Sequence, residues 1–429
     1  MLWLIIFYFL FFLFLAGRNF KLALGLFMVV LPTYLIRFDL FNLPTNLLEL
    51  SFGAIFLVWI VKYLRSDFLV IKNFIKSNKI FSLLLALFFI ASISGILVSD
   101  EWYKSLGHWR AFFLEPMLLF IILLGRIKEI KKDFIIWWLG FSTISISLVA
   151  ILQKFSVAFY PPQLWDEEVF GRATSFFTTP NAIGLYLVPI WVLLFAYFYK
   201  NYKVKLKSSA IFYFLFFTLL LGFIAILLSF SQGAWIALGV GILVFMYLLG
   251  YKKITSLLVL LGILISVGFV PLRQAILFQD VSGQNRLTIW SYTIDYLTAS
   301  PQNLVFGTGI RQWFRKVQKE NYFAQDNNLE RLIFPHNIVL NFWTEIGLLG
   351  MLAWGGMMYF MFRFSYFIYK DDKIFGAGLL AMWVAFLIHG LVDVPYFKND
   401  LAFLFWILVS LVMVIRFSLA NKNGATISK

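Results

Sequence analysis

The sequence predicts an all-α fold: a polytopic membrane helix bundle with one large outward loop. Three observations predict it. Of 429 residues, 62% are hydrophobic and only 13% are charged, whereas a soluble domain carries about 25% charged residues. The apolar residues are gathered into runs close to the roughly 20 that a bilayer-spanning helix needs. Lysine and arginine collect in every second interval between those runs, the pattern of a positive-inside membrane protein. Only helices and closed barrels satisfy their backbones in lipid, and runs this rich in Leu, Phe and Ile are helices.

About 12–13 such runs are present, at roughly 2–16, 20–36, 43–64, 80–98, 108–125, 134–155, 181–199, 209–230, 233–250, 254–271, 338–362, 375–394 and 401–418. The first is read as a retained anchor, since only a weak Leu15-Ala16-Gly17 resembles a cleavage site. The second contains Pro32. The basic intervals are Arg18/Lys21, Lys62 to Lys79, Arg126 to Lys132, Lys200 to Lys207, Lys252/Lys253, Arg363 to Lys373 and Arg416 onward. They hold about 23 of the 36 basic residues and are assigned to the cytoplasm. The intervals near 37–45, 99–107, 156–180, 272–337 and 395–400 then face outward. Thirteen spans put the N-terminus outside; with twelve, the first two segments are misdivided.

The formal charge of +15 invites a nucleic-acid reading, but the clustering in alternate loops argues against it. Cysteine is absent, which excludes a disulfide framework, a thiolate metal site and a cysteine nucleophile. There is no linker or low-complexity stretch, so residues 1–429 read as a single integral-membrane domain. No internal repeat is evident, which weakens a repeat-built transporter.

The outward loop 272–337 is long enough to expect function in it. In "RLTIWSYTIDYLTASP" (286–301), Leu287, Trp290, Ile294 and Leu297 recur at helical spacing. An amphipathic helix lying on the membrane surface is expected there, stopped by Ser300-Pro301 and followed by a turn at Gly307 and Gly309.

Outward basic residues run against the charge bias. Arg286 follows Ser282, Gly283 and Asn285, which can cap a helix that it opens. An arginine at a helix N-terminus makes an anion site, and its planar fork suits phosphate oxygens. The bland alternative is an interfacial arginine reaching to headgroups. Arg172, just ahead of Pro180-Asn181, and Arg311, after the glycine turn, raise the same choice between ligand and solvated charge.

The chain has three histidines, His108, His336 and His389. His336 stands where the long loop re-enters the membrane and is suited to accept a proton near neutral pH; a capping role is the plainer reading. Asn337, Asn341 and Glu345 follow at i, i+4 and i+8, with Thr344 beside them. Such a seam either lines a wet cleft or hydrogen-bonds helix to helix. His389 and Asp393, at i and i+4, could form a pair or a gate. The Ser231-Gln232-Gly233 joint is tight and holds Gln232 at the outer surface.

No HExxH, Cys/His array or P-loop is present, so neither a metal nor a cofactor is expected. Asp166-Glu167-Glu168 could hold a divalent ion with a diphosphate; a surface acidic run is the commoner explanation. The outward set of arginines, one histidine and amides beside apolar walls suits a substrate with a lipid tail, an anionic head and a hydroxyl to be activated. A polyprenyl-diphosphate sugar fits: arginines neutralise the diphosphate leaving group, and one base takes the proton of the attacking hydroxyl.

"FSQGAWIAL" (230–238), "NRLTIWSYTIDYLTASPQNLVFGTGIRQWF" (285–314) and "PHNIVLNFWTEIGLLGML" (335–352) resemble, in that order, the O-antigen ligase and polymerase superfamily. "GRATSFFTTPNAIGLYL" (171–187) and "HGLVDVPYFKNDLAFLFW" (389–406) resemble it too. The resemblance implies a metal-independent, inverting glycosyltransferase of the bacterial inner membrane. Such proteins move a glycan from undecaprenyl diphosphate to a lipid or glycan acceptor on the periplasmic face. It implies that His336 activates the acceptor and that Arg286 engages the diphosphate, with Arg172, Arg311, Gln232 and Asn337 around the substrate. The sequence departs at Gln232, where many relatives carry arginine as a second diphosphate ligand. Either Arg172 or Arg311 compensates, or donor binding is weaker, or the substrate differs. Two other classes compete: a lipid-linked oligosaccharide flippase without chemistry, and a metal-dependent glycosyltransferase using Asp166 and Glu168.

Overall fold

A computed structural model describes residues 2–40, 43–156, 159–160, 171–203, 210–318 and 332–422. It is an all-α polytopic bundle. Helices α1 (Leu2–Arg18), α2 (Phe20–Val29), α3 (Leu47–Lys62), α4 (Leu64–Ser77) and α5 (Lys79–Leu97) come first. Then come α6 (Trp102–Trp109), α7 (Glu115–Gly125), α8 (Lys132–Leu152), α9 (Asn181–Lys203), α10 (Ala210–Leu228), α11 (Gln232–Leu248) and α12 (Lys252–Gly268). After α13 (Val270–Ile276), α14 (Val281–Thr298) and α15 (Pro301–Phe306), the chain closes with α16 (Ile338–Asp371), α17 (Lys373–Gly390) and α18 (Asn399–Lys422).

Each of the 13 apolar runs contains a helix, but not every one has the length of a span. Among the described residues, 8 helices are long and apolar enough to cross a membrane, or 9 if α3 and α4 count together. Those two are bent by 92°, so the basic interval from Lys62 carries a helix rather than a loop. Its apolar and charged residues segregate (Leu64, Phe68 and Ile75 against Arg65, Lys72 and Lys76), which turns it off the bundle axis. α1, α2 and α11 are shorter apolar helices. α2 stops at Val29 because Pro32 cannot continue it, and the chain goes on as a 3-10 turn, Leu31–Leu35. The interval 37–45 also departs from expectation: Arg37–Leu40 (β1) pairs antiparallel with Leu43–Asn46 (β2), Arg37 opposite Asn46.

One apolar core runs from Ala16 to Ile415. α9 and α18 are its inner helices, buried on nearly every side. α17 packs between α9 and α11, and α16 lies chiefly against α5. Small residues permit these approaches, since lipid offers no hydrophobic drive and packing must supply the attraction. A Cβ on Gly378 of α17 would collide with the Ala196 side chain of α9.

α16 is broken inside the membrane segment. Ile346 and Gly347 leave helical geometry, Gly347 with φ 73° and ψ 179°. A break in hydrocarbon must have its backbone satisfied by protein. The glycine turn after α15 supplies the donors. Thr308 N–H donates to Thr344 O at 2.7 Å, Gly309 N–H to the same oxygen at 3.2 Å, and Ile310 N–H to Gly95 O of α5 at 2.9 Å. Arg311 N–H donates to Glu345 Oε2 at 2.8 Å. Gly307 (φ 71°) and Gly309 (φ 87°) form the expected turn. Asn341, Thr344 and Glu345 are fully buried, while Asn337 at the mouth of the seam is not, so the deeper part of the seam faces protein.

Candidate active site

The helix carrying Arg286 starts earlier than the capping pattern suggests. Asp280 is the N-cap of α14 and accepts from Gly283 N–H at 3.1 Å. Arg286 therefore lies in the second turn, and an anion site built on the helix terminus is not its setting. The buried face is also rotated from the expected one: Ile289, Thr293 and Leu297 are buried while Leu287 and Ile294 are exposed. Trp313, which donates to Thr293 Oγ1 at 2.9 Å, and Val317 pack there. Ser300 ends this stretch by capping α15.

Arg286 reaches instead across to the turn that follows α17. Its Nε donates to Val392 O at 3.0 Å and its Nη1 to Ser282 Oγ at 2.7 Å. The next residue of that turn receives His336, whose Nδ1 stands 3.1 Å from Asp393 Oδ1. This is ion-pair distance, although Nδ1 is not aligned as a hydrogen-bond donor there. Asn337 caps α16 by accepting from Val339 and Leu340 N–H, and its Nδ2 donates to Leu391 O at 3.1 Å. Trp290 ties the two loop ends together by donating to Pro335 O at 2.7 Å. Leu391, Val392 and Asp393 thus hold Asn337, Arg286 and His336 in order.

Asp393 is buried and fixed, with Oδ1 also accepting from Val394 N–H at 2.8 Å. Burial works to raise its pKa, but the His336 imidazole, His389 and Lys398 outweigh burial and hold the carboxyl well below the usual carboxylate range. The ion-pair contact of Asp393 is therefore with His336, not with His389 as their spacing in the chain suggests. His389 is buried, and Gly184 and Gly233 leave the room it occupies, since a Cβ on either would press on its ring.

Gly233 links the joint between α10 and α11 to this turn: its added Cβ would lie 3.1 Å from Val392 Cγ2. Gln232, exposed at the first position of α11, stands beside it. Arg172 braces the chain just ahead. Its Nε donates to Ser229 O at 3.0 Å, and its Nη2 lies 3.2 Å from both Phe230 O and Asn181 Oδ1. Burial pulls this guanidinium's pKa down. Gln153 holds the loop behind it by accepting from Thr174 and Ser175 N–H, each at 2.9 Å.

Arg311 lies elsewhere. Its guanidinium rests over the Phe334 ring, 5.2 Å from the centroid, and lines a cavity of about 1420 Å³ that neither Arg286 nor His336 lines. Among the described residues no group of three or more histidine and acidic side chains is placed to hold a metal. Asp166, Glu167 and Glu168 lie outside the described residues.

The sequence marks Asp393 and leaves open a pair or gate with His389; the structure keeps His389 nearby but puts His336 at ion-pair distance, and the carbonyls of Leu391 and Val392 are not foreshadowed. The available signal was Pro395, which marks a turn directly after the polar pair.

No curated protein matches the chain. Residues 217–355 match the family model described as O-antigen ligase, a stretch that takes in Gln232, Arg286, Arg311, His336 and Asn337. The chain is thus an all-α polytopic membrane protein whose residues 217–355 are similar to the O-antigen ligase family.

Proposed function

We propose that this protein transfers a glycan from undecaprenyl diphosphate to an acceptor hydroxyl, at the periplasmic face of a bacterial inner membrane. The observation that carries this reading is the seating of Arg286 and His336 on adjacent residues of one turn, Val392 and Asp393. In this reading Asp393 accepts from Nδ1–H of His336, which leaves Nε2 with the lone pair. The acceptor O–H gives its proton to Nε2 while its oxygen bonds to the anomeric carbon. The bond from that carbon to the diphosphate oxygen breaks, and its electron pair leaves with the diphosphate. Attack opposite the leaving group inverts the anomeric centre. Arg286 is positioned rather than spent: Nε and Nη1 are engaged, and among the described residues Nη2 makes no hydrogen bond. It is left to meet phosphate oxygens and stabilise the charge that develops on them. No step calls for a metal.

The test is transfer from a purified polyprenyl-diphosphate glycan in membranes containing His336→Ala. Loss of transfer at normal membrane level and normal donor binding is expected. Full transfer by that variant would remove the base, and undiminished movement of the donor across the bilayer without transfer in the native protein would favour a carrier.

A further inference from the structure

The five intervals that the charge pattern places outside converge on one cavity of about 1420 Å³. Arg37 and Thr45 come from the first, Lys104 from the second, Tyr160 and Phe176 from the third, Arg311 and Phe334 from the fourth, and Lys398 from the fifth. Small-molecule sites usually occupy about 300–1,000 Å³, so this space takes more than a single small ring.

Its lining is basic. Arg37, Lys104, Arg110, Arg311 and Lys398 stand against Asp39 and Glu49. Some of that charge is spoken for: Glu49 pairs with Arg110, and Lys104 with Glu101 at 2.8 Å. Among the described residues no carboxylate lies within ion-pair distance of Arg37, Arg311 or Lys398. Glu345 acts on Arg311, and Asp393 and Asp400 on Lys398, only from beyond ion-pair distance; cations so placed around one cavity repel each other, and the charge bias of membrane proteins disfavours them on the outer side. An anionic occupant relieves both costs. Arg110 opens a π-helical stretch, Arg110–Leu114, a distortion that recurs at functional sites. The walls between the charges are aromatic, with Phe334 and Phe397 packed 6.0 Å apart. Arg311 covers the Phe334 ring and Phe397 is buried, so the aromatic faces open to this cavity are those of Phe159 and Phe176, apolar surfaces suited to the C–H faces of sugar rings. Phe334 is two residues before His336, and Phe397 is four after Asp393. The cavity and the proposed base thus share one segment of chain.

We propose that this cavity binds an anionic saccharide, one bearing carboxylate or phosphate groups, as the acceptor of the transfer. The identity as acceptor rests on the function proposed above; the binding of an acidic glycan does not.

The experiment measures binding to the full-length protein in nanodiscs of neutral lipid, without turnover. The probes are a tetragalacturonate, a tetrasaccharide bearing phosphate monoesters, and a neutral tetrasaccharide. At least one anionic probe is expected to bind tenfold or more tighter than the neutral one, and which of the two wins names the anion. Arg37→Gln with Lys398→Gln is expected to weaken that probe at least tenfold, with Arg37→Lys and Lys398→Arg retaining it as a folding control. Equal binding of neutral and anionic probes, or indifference to the paired glutamines, would overturn the proposal. So would loss of saccharide binding when anionic phospholipid replaces neutral lipid, which would make the site one for headgroups. His336→Ala separates the two readings: it should bind the saccharide normally, so retained transfer in that variant would sink the base and leave the cavity assignment standing.

Discussion

Arg286 and His336 are anchored to neighbouring residues of one turn, with Arg286 Nε 3.0 Å from Val392 O and His336 Nδ1 3.1 Å from Asp393 Oδ1. The start of α14 and the start of α16 are thereby both fixed to the turn that follows α17. In the function proposed above, a cation and a base tied to one turn are held at a fixed separation, as an in-line displacement requires. Asp393 is the residue through which this is most directly tested. Asp393→Asn should keep the shape of the turn but offer the imidazole a donor as well as an acceptor, allowing the wrong tautomer. Loss of such an orienting carboxylate costs about 10⁴-fold in the serine protease triad, and a loss of at least about 10²-fold in transfer is expected here, at unchanged donor binding. Native rates in this variant would mean that Asp393 is structural only.

The same carboxyl sets a pH dependence of stability. Its pKa is depressed in the folded protein. Its contribution is therefore fully present above the ordinary aspartate value of about 4 and is lost as pH falls toward the folded value. The difference in thermal stability between the native protein and Asp393→Asn should be greatest above about pH 5 and shrink below about pH 4. A gap that widens on acidification would contradict the assignment of charge to Asp393.

Arg286→Lys separates charge from geometry. A lysine keeps the positive charge but has one nitrogen, which cannot meet Val392 O and Ser282 Oγ and still present free N–H groups to a phosphate. Transfer should fall by about tenfold or more, with the KM for the donor raised. Near-normal turnover would argue against diphosphate binding at this guanidinium.

The broken helix gives a stability prediction with an internal control. Gly347 has φ 73° and ψ 179°, a region open essentially to glycine, and an added Cβ would collide with Val305 O. Backbone strain alone costs about 1–3 kcal/mol, and α15 would also be pushed away. Gly347→Ala should lower the melting temperature and the membrane level sharply. Gly355→Ala, later in the same helix, meets nothing within 4 Å and should be neutral or slightly stabilising. Similar melting curves for the two would mean that the break is not needed.

That break also marks where sequence reasoning stopped. Long apolar runs and alternating basic loops made the helices legible, because each is decided within one segment. "EIGLLGML" keeps its apolar pattern straight through Gly347, and what opens α16 there is a set of donors from Thr308 to Arg311, far away in the chain. The bend at Tyr63 and the strand pair Arg37–Leu40 with Leu43–Asn46 were hidden for related reasons: hydropathy counts do not carry direction. At the site, His336, Arg286 and Gln232 were legible as outward polar residues that the charge bias leaves unexplained. Their grouping was only partly so. The i, i+4 spacing raised His389 as one candidate partner of Asp393, whereas the fold brings His336, distant in sequence, to ion-pair distance; and nothing local distinguishes Arg311, which lines the large cavity, from Arg286, which does not.

Gln232 offers the last test, because the family resemblance read from the sequence implies an arginine at this position. Gln232 is exposed at the start of α11, so an arginine there should fold, at a cost of a few tenths of a kcal/mol from the positive end of the helix dipole. Gly233 touches Val392 and Arg172 grips Ser229 and Phe230, so the new charge would arrive between the cation already present and the Arg286 turn. If Arg172 supplies the missing charge, Arg172→Gln should raise the donor KM about tenfold, and adding Gln232→Arg should restore most of the loss. Gln232→Arg alone should then match or exceed the native rate. The rescue discriminates charge from bracing, because an arginine at 232 cannot replace the hydrogen bonds to Ser229 and Phe230 that Arg172→Gln removes. Failure to rescue, with both variants stable in the membrane, would assign Arg172 to holding the turn and leave Arg286 as the single diphosphate arginine of this site.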